Sequence, residues 1–151
     1  MRAFAVALVF VAAIGVPAAA GPTDIARVDD YIDAPRALFG RTRADLERRL
    51  GTATGERPRP EGVALSWPGL EVALSRTARV AGVVVSAAGR SLPLGLDVGA
   101  TRARVEATLG DAVEASDERS LYLDADGFPN SVEFFFREGR VTRIEWRFWT
   151  E

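Results

Sequence analysis

The sequence contains neither cysteine nor histidine. Without cysteine the chain can form no disulfide, no thiolate nucleophile, no cysteine metal site and no lipidated N-terminal cysteine. Without histidine it lacks the usual general base near neutral pH and the commonest transition-metal ligand. A Gly-x-Ser-x-Gly motif, which would mark a nucleophilic serine, is also absent. From these absences we expect a protein that is not an enzyme and has no catalytic residues, and that binds no metal and no cofactor.

Lysine is absent as well, so the 19 basic side chains are all arginines, and the formal net charge is −2. Exclusive use of arginine is typical of a GC-rich genome, and a functional interpretation requires the arginines to cluster. A slightly acidic chain without a basic tract is a poor ligand for nucleic acid or anionic lipid. We therefore expect no nucleic-acid partner.

The first twenty residues have the pattern of a secretory signal peptide. Arg2 is followed by an apolar run over residues 4–16, and the sequence Ala18-Ala19-Ala20 provides the small residues that signal peptidase requires. The apolar run is too short to span a bilayer comfortably, and no later segment is apolar for long enough. We expect cleavage after Ala20, no membrane span after cleavage, and a periplasmic or secreted protein whose residues 21–151 form a single domain.

Residues 40–51 return as residues 99–110, with seven of twelve positions identical. Each copy has a threonine able to cap a helix, two apolar residues four positions apart, and a closing glycine. The threonines are Thr42 and Thr101. This internal match predicts two tandem repeats, at about residues 23–88 and 92–150.

Strand-like segments follow each copy of the repeated stretch. Polar residues 52–62 and 111–119 are predicted to be loops, and a short helix capped by Thr23 and ended by Pro35 precedes the first copy. The fold class predicted is α+β: two tandem α-β-β-β repeats that form an antiparallel sheet with helices packed on one face. The predicted strands are residues 63–67, 70–74, 80–85, 120–123, 132–137 and 141–149.

Aromatic residues on the last two strands are the best candidates for a binding site. The alternation assigns Phe134, Phe136, Ile144 and Trp146 to the core. The opposite positions combine aromatics with arginines, which is the composition of a protein-binding hot spot. The alternative is that the first helix covers this second face. The candidate partner-binding residues are Phe135, Arg143, Arg147 and Trp149, together with Trp67, which we expect to be exposed beside the Pro68 turn.

Short motifs in the second repeat resemble a known family. The helix motif comprises Gly99, Thr101, Arg102, Val105, Leu109 and Gly110, and the strand motif comprises Gly139, Arg140, Val141 and Ile144. This pattern resembles the SmpA/OmlA type of outer-membrane proteins that assist β-barrel assembly. It is also similar to the repeat of β-lactamase-inhibitor proteins, which hold two such units in tandem. The resemblance implies a fold that binds other proteins and performs no chemistry.

Three functional hypotheses follow from the sequence. The first is an exported, non-catalytic protein-binding module of the cell envelope that engages a protein partner through one face of the sheet. The second, also a binding protein, is an inhibitor of a secreted or periplasmic hydrolase, which the tandem layout favours. The third is a small hydrolase or metal-dependent enzyme, for which a structure would need a cleft with two converging carboxylates or an ordered metal.

Overall fold

The computed structural model describes residues 21–126 and 129–150, so the predicted signal peptide, residues 1–20, lies outside the described residues. Across these ranges, none of the helices combines the length and apolar composition needed to cross a bilayer. A single 3₁₀ turn, Pro93–Gly95, connects the two halves. The helices are α1 (Ile25–Phe39), α2 (Arg43–Leu50) and α3 (Arg102–Leu109); the strands are β1 (Gly55–Arg59), β2 (Gly62–Trp67), β3 (Leu70–Ser75), β4 (Val80–Val85), β5 (Glu114–Ala115), β6 (Arg119–Leu123), β7 (Ser131–Arg137) and β8 (Arg140–Arg147).

The eight strands form one antiparallel sheet in the order β1-β2-β3-β4-β8-β7-β6-β5. Each half is a meander of four strands that follows its own helix, and the last strands of the two halves pair at the centre, where Val83 lies opposite Trp146. The α+β class is therefore confirmed. The number of strands was underestimated, because four strands rather than three follow each of α2 and α3.

The two additional strands are the edge strands β1 and β5, which lie in segments predicted to be loops. In β1 no side chain is buried, and β5 comprises two exposed residues. Side-chain patterning therefore gives no sign of these strands. They form because the backbone groups of β2 and β6 offer hydrogen-bonding partners to the neighbouring chain.

All three helices pack on one face of the sheet and share one core with both halves. Tyr31 of α1 stacks between Phe134 and Trp146, with ring centroids 5.5 Å away in each case. Stacked aromatic rings at this distance add to the stabilisation from burial. Leu46 of α2 and Leu109 of α3 are fully buried in the same cluster. The predicted core residues are buried here too: Phe134, Phe136, Ile144 and Trp146.

Helix α1 differs from its prediction at both ends. Its N-cap is Asp24, whose side chain accepts a hydrogen bond from the backbone N–H of Arg27 at 3.2 Å. Thr23, the expected cap, instead donates its hydroxyl to the carbonyl of Asp111 at 2.6 Å. Pro35 lies inside α1 and does not end it.

A tertiary hydrogen bond compensates for the proline within α1. Because Pro35 has no N–H, the carbonyl of Tyr31, four residues earlier, loses its helical donor. The indole Nε1 of the buried Trp146 donates to that carbonyl at 3.1 Å. The helix therefore continues past the proline without leaving a buried carbonyl unsatisfied.

The two repeated helices begin and end in matching ways. Thr42 accepts a hydrogen bond from the backbone of Asp45 in a reciprocal capping box, and Thr101 accepts one from Arg104. At the other ends, the carbonyls of Gly51 and Gly110 each accept a hydrogen bond from an aromatic side chain of the second strand in their half. These donors are Trp67 Nε1, at 3.2 Å, and Tyr122 Oη, at 3.0 Å. The caps predicted at Thr42 and Thr101 are confirmed, whereas the cap predicted at Thr23 is wrong.

Replacing either cap by alanine, Thr42→Ala or Thr101→Ala, is expected to lower the free energy of unfolding by about 1 kcal/mol, because one backbone N–H in the first turn loses its acceptor. Thr52→Ala is the control, since Thr52 is exposed just beyond α2 and its side chain makes no hydrogen bond to the described residues. Urea denaturation measures all three. Equal stabilities for Thr42→Ala and Thr52→Ala would contradict the capping role.

Candidate protein-binding face

The sheet surface opposite the helices is named the open face. Residues directly opposite each other on paired strands project to the same side, so the register defines this surface. Its centre carries small side chains, with Ala73 opposite Gly82. The open face comprises Arg57, Ala64, Ala73, Gly82 and Arg147 in one row, Ser66, Glu71, Val84, Glu145, Glu133 and Leu121 in the next, and then Phe135 and Arg143.

Arginine–glutamate pairs flank the centre of the open face on its β1 side. The guanidinium of Arg57 reaches across β2 to Glu71 on β3, with 3.2 Å between Nη2 and Oε2. Arg59 lies 3.8 Å from the other oxygen of Glu71. Ala64 lies between Arg57 and Ala73 in the register. Its side chain is fully buried although it projects from the open face.

A second set of pairs lies on β7 and β8. Glu133 is directly opposite Glu145, an arrangement of like charges that destabilises a sheet unless cations compensate it. Arg143 and Arg147 both lie within ion-pair distance of Glu145, at 3.1 and 3.7 Å. Arg119 pairs with Glu133 at 2.9 Å, and Glu133 is only 6% exposed. These arginines therefore offset the electrostatic repulsion between the two neighbouring carboxylates.

Phe135 is the half-buried aromatic of the open face. It lies directly opposite Arg143, whose guanidinium carbon is 4.1 Å from the ring centroid. Such a cation–π contact holds both side chains in place and is worth about 0.5–1 kcal/mol at an exposed site. The two residues line a depression of about 750 Å³ that also includes Ser86, Asp117, Glu118 and Thr142.

Trp149 is the exposed aromatic, with 56% of its surface accessible. Its backbone N–H donates to the side chain of Asn130 at 2.9 Å, which anchors the chain just beyond β8. Trp149 borders a second depression, of about 580 Å³, whose floor includes Ala73 and Gly82 and whose sides include Glu71 and Arg147. The small floor residues create this depression, because larger side chains would fill it.

Three of the five predicted site residues, Phe135, Arg143 and Arg147, lie on the open face, and a fourth, Trp149, borders its central depression. The expectation that Trp67 is exposed is wrong: it is 7% exposed, lies on the helix side of the sheet and donates its indole N–H to Gly51. Sequence reasoning missed the β1 side of the open face, where Arg57 and Arg59 flank Glu71. The segment that supplies these two arginines was predicted to be a loop.

The alternative hypothesis, that the first helix covers this face, is wrong. Tyr31, on the inner side of α1, packs against Phe134 and Trp146, which project from the opposite side of the sheet. Within residues 21–126 and 129–150, every helix contributes its buried side chains to that same inner core. The open face therefore lacks a covering helix in the part of the chain that the structure describes.

The sheet edges are poorly suited to pairing with another strand. Edge strand β1 contains Pro58, which has no N–H to donate, and its other side chains include Glu56, Arg57 and Arg59. Edge strand β5 has only two residues. A partner is therefore better accommodated on the face of the sheet than at its edges.

Acidic side chains in the described ranges do not gather into a group of three or more that could hold a metal ion. Burial, followed by the nearby Glu106, raises the pKa of Tyr122 to about 12. Its hydroxyl therefore remains protonated and serves as the donor to Gly110. The buried hydroxyl of Tyr31 likewise donates to a backbone carbonyl, that of Leu96, at 2.5 Å.

No family model matches the sequence, and no curated protein matches it. The fold is similar to that of an extracellular protein containing a SCP domain from Bacillus anthracis str. Ames, with a TM-score of 0.53 and 9% identity. That match covers 92% of this chain and 50% of the other, so this chain spans half the length of that protein. The fold is also similar to that of a DUF4309 family protein (YjgB) from Bacillus subtilis subsp. subtilis str. 168, with a TM-score of 0.50 and 13% identity over 81% of this chain and 98% of that one. At these low identities the similarity indicates a shared fold alone.

Proposed function

We propose that this chain is an exported, non-catalytic protein-binding module of the cell envelope that engages a protein partner through the open face. The observation that carries the proposal is an aromatic and arginine-rich surface on the side of the sheet opposite the core. Arginine and large aromatics are the residues most enriched at the energetic centres of protein interfaces.

The arrangement of the charged groups supports recognition of a folded partner. Each of Arg57, Arg143 and Arg147 is held on one side by a glutamate, which restricts its side chain before a partner arrives. A guanidinium has five N–H donors, so an arginine in one ion pair still has donors for a partner. Restricting the side chain in advance lowers the entropic cost of binding.

The central depression supplies the shape that such an interface needs. A protruding side chain of the partner fits over Ala73 and Gly82, between Glu71 and Arg147. Trp149 borders the same depression and offers a large apolar surface. Apolar contact at the centre with a charged rim is the usual anatomy of a protein interface.

The same fold supports a proposed origin by tandem duplication, in line with the resemblance to the SmpA/OmlA type and the β-lactamase-inhibitor proteins. Each half joins the residue before its helix cap to its last strand. Val80 N–H donates to the carbonyl of Arg41 at 3.0 Å, and Val141 N–H donates to the carbonyl of Ala100 at 2.9 Å. Arg41 and Ala100 lie 59 residues apart, which is the offset of the internal sequence match, whereas Val80 and Val141 lie 61 apart, so the second half has two more residues between its cap and its last strand.

An inhibitor of a secreted or periplasmic hydrolase is the more specific form of this proposal. Pairing of β4 with β8 makes one face continuous across both halves, which offers an enzyme a single extended surface to dock against. Residual activity of a panel of periplasmic and secreted hydrolases, β-lactamases included, tests it with the purified protein in excess. Full activity throughout the panel would leave the general binding role and overturn the inhibitor role.

Export is a separate prediction within the proposal. The mature protein is expected to begin at Gly21, because the small residues that end at Ala20 form the cleavage site. The extracellular protein of similar fold is consistent with this expectation. N-terminal sequencing of the protein from the envelope or culture medium measures it. Recovery in the membrane fraction with residues 4–16 retained would contradict it.

The binding proposal itself is tested by capture. Residues 21–151 are immobilised and incubated with envelope extract from the producing cells, and bound proteins are identified by mass spectrometry. The expected result is one or a few proteins that are lost when the open face is altered and retained when the helix side is altered. Retention after changes to the open face would overturn the proposal.

A further inference from the structure

Three arginines from three different parts of the chain line one depression of about 370 Å³. Arg36 comes from the last turn of α1, Arg41 from the connection to α2, and Arg79 from the turn before β4. Val80, Trp149 and Thr150 complete the lining. The depression lies beside the open face but does not include its central residues.

The positive charge in this depression is only partly compensated. Asp33 lies 3.8 Å from Arg36 and 3.4 Å from Arg41. Across residues 21–126 and 129–150, no carboxylate lies within ion-pair distance of Arg79. Burial and then the like charge of Arg41 lower the pKa of Arg36. Asp33 therefore pairs with two of the three guanidinium groups, and Arg79 has no carboxylate partner among the described residues.

One of the three arginines is held rigidly. The guanidinium carbon of Arg36 lies 3.9 Å from the ring centroid of the buried Phe148, and only 18% of the Arg36 side chain is exposed. Stacking on an aromatic face leaves the in-plane N–H groups of a guanidinium available to an anion. Arg36 is thus positioned as a donor before any ligand binds.

Comparison of the two halves indicates that folding does not require this arginine cluster. Thr42 bridges to Arg79 in the first half, and Thr101 bridges to Arg140 in the second. The position of Arg41, which precedes the cap, is occupied by Ala100 in the second half. The same turn therefore forms with alanine at this position, and only the first half gathers arginines there.

We propose that Arg36, Arg41 and Arg79 form a binding site for a tetrahedral oxyanion, phosphate or sulfate. Guanidinium groups bind such anions through paired, charge-assisted hydrogen bonds, which is why arginine predominates in phosphate recognition. A dianion would also offset the excess positive charge that Asp33 leaves. None of the three arginines belongs to the open face, although Trp149, which borders the central depression of that face, also lines this site.

The fluorescence of Trp149, which lines the site, provides the readout. Sodium phosphate and sodium sulfate are titrated separately into the protein at constant ionic strength maintained with sodium chloride. The expected result is a saturable change in indole emission for at least one of the two anions. Trp149→Phe is expected to abolish the change, since Trp67 and Trp146 are buried within the core.

Matched charge variants identify the site. Arg79→Gln is expected to weaken anion binding about tenfold, the loss of one charge-assisted hydrogen bond. Arg140→Gln removes the same charge from the corresponding turn of the second half, where Arg140 donates to the carbonyl of Gly99 at 2.9 Å, and is expected to bind as the wild type does. Unchanged affinity in Arg79→Gln, equal weakening in both variants, or no saturable response to either anion would overturn the inference. Partner capture by the open face would stand in each case.

Discussion

Trp146→Ala is expected to lower the free energy of unfolding by about 3–5 kcal/mol, the range for truncating a fully buried aromatic. Trp146 is 1% exposed, stacks on Tyr31 and donates the hydrogen bond that satisfies the Tyr31 carbonyl. Trp149→Ala is the control and is expected to change stability by no more than about 0.5 kcal/mol, as most surface substitutions do. Urea denaturation compares the two.

The hydrogen-bonding part of that loss can be isolated. Trp146→Phe keeps an aromatic ring but removes the indole donor, which leaves the buried carbonyl of Tyr31 unsatisfied at a cost of about 1–3 kcal/mol. Pro35→Ala returns a backbone N–H at the position that normally serves this carbonyl. Pro35→Ala should therefore stabilise the Trp146→Phe variant more than it stabilises the wild type. Equal effects in both backgrounds would show that the indole donor contributes nothing.

The second large effect is expected on binding. Trp149→Ala is expected to weaken the complex with the captured partner by about 2 kcal/mol or more, close to 30-fold in Kd, because exposed tryptophans beside arginine form interface hot spots. Ile25→Ala is the matched control: Ile25 is 57% exposed, against 56% for Trp149, and belongs to the helix side. Surface plasmon resonance with the purified partner measures both variants.

Two outcomes would contradict the role of Trp149. If Trp149→Ala unfolds the protein as severely as Trp146→Ala, this side chain is part of the core, and its effect on binding carries no information about an interface. If Ile25→Ala weakens the complex as much as Trp149→Ala, the partner contacts the helices. A loss confined to Trp149→Ala, in a folded protein, supports binding through the open face.

The parts of the fold that depend on neighbouring residues in sequence could be predicted. The threonine caps of α2 and α3 and their closing glycines are local features, and they occur where the internal match places them. The alternation along β7 and β8 correctly separated Phe134 and Trp146 from Phe135 and Arg143, because a strand projects successive side chains to opposite faces.

The parts that depend on tertiary contacts were missed or wrong. Pro35 was expected to end the first helix, but the indole of Trp146, more than one hundred residues later, supplies the missing donor. Trp67 was expected at the surface because a turn follows it. Its own alternation with Leu65 already placed it with core residues, and the carbonyl of Gly51 satisfies its polar end.

The candidate site was predicted in its aromatic half only. Arg57 and Arg59 come from β1, a strand that contains a proline and no buried side chain, so no hydrophobic pattern reveals it. The depression over Ala73 and Gly82 arises because β3 and β4 are paired in a register that brings two small residues together. Register between strands depends on the whole sheet and cannot be read from either strand alone.

Photo-crosslinking from Ser66 tests most directly whether the open face binds the partner. A photoreactive phenylalanine derivative introduced at Ser66 lies on the open face, opposite Glu71 and outside the lining of both depressions, and the same group at Ala107 lies on the exposed side of α3. Irradiation in the presence of the partner is expected to give a crosslinked product from position 66 and none from position 107. A product from position 107 with none from position 66 would contradict binding through the open face.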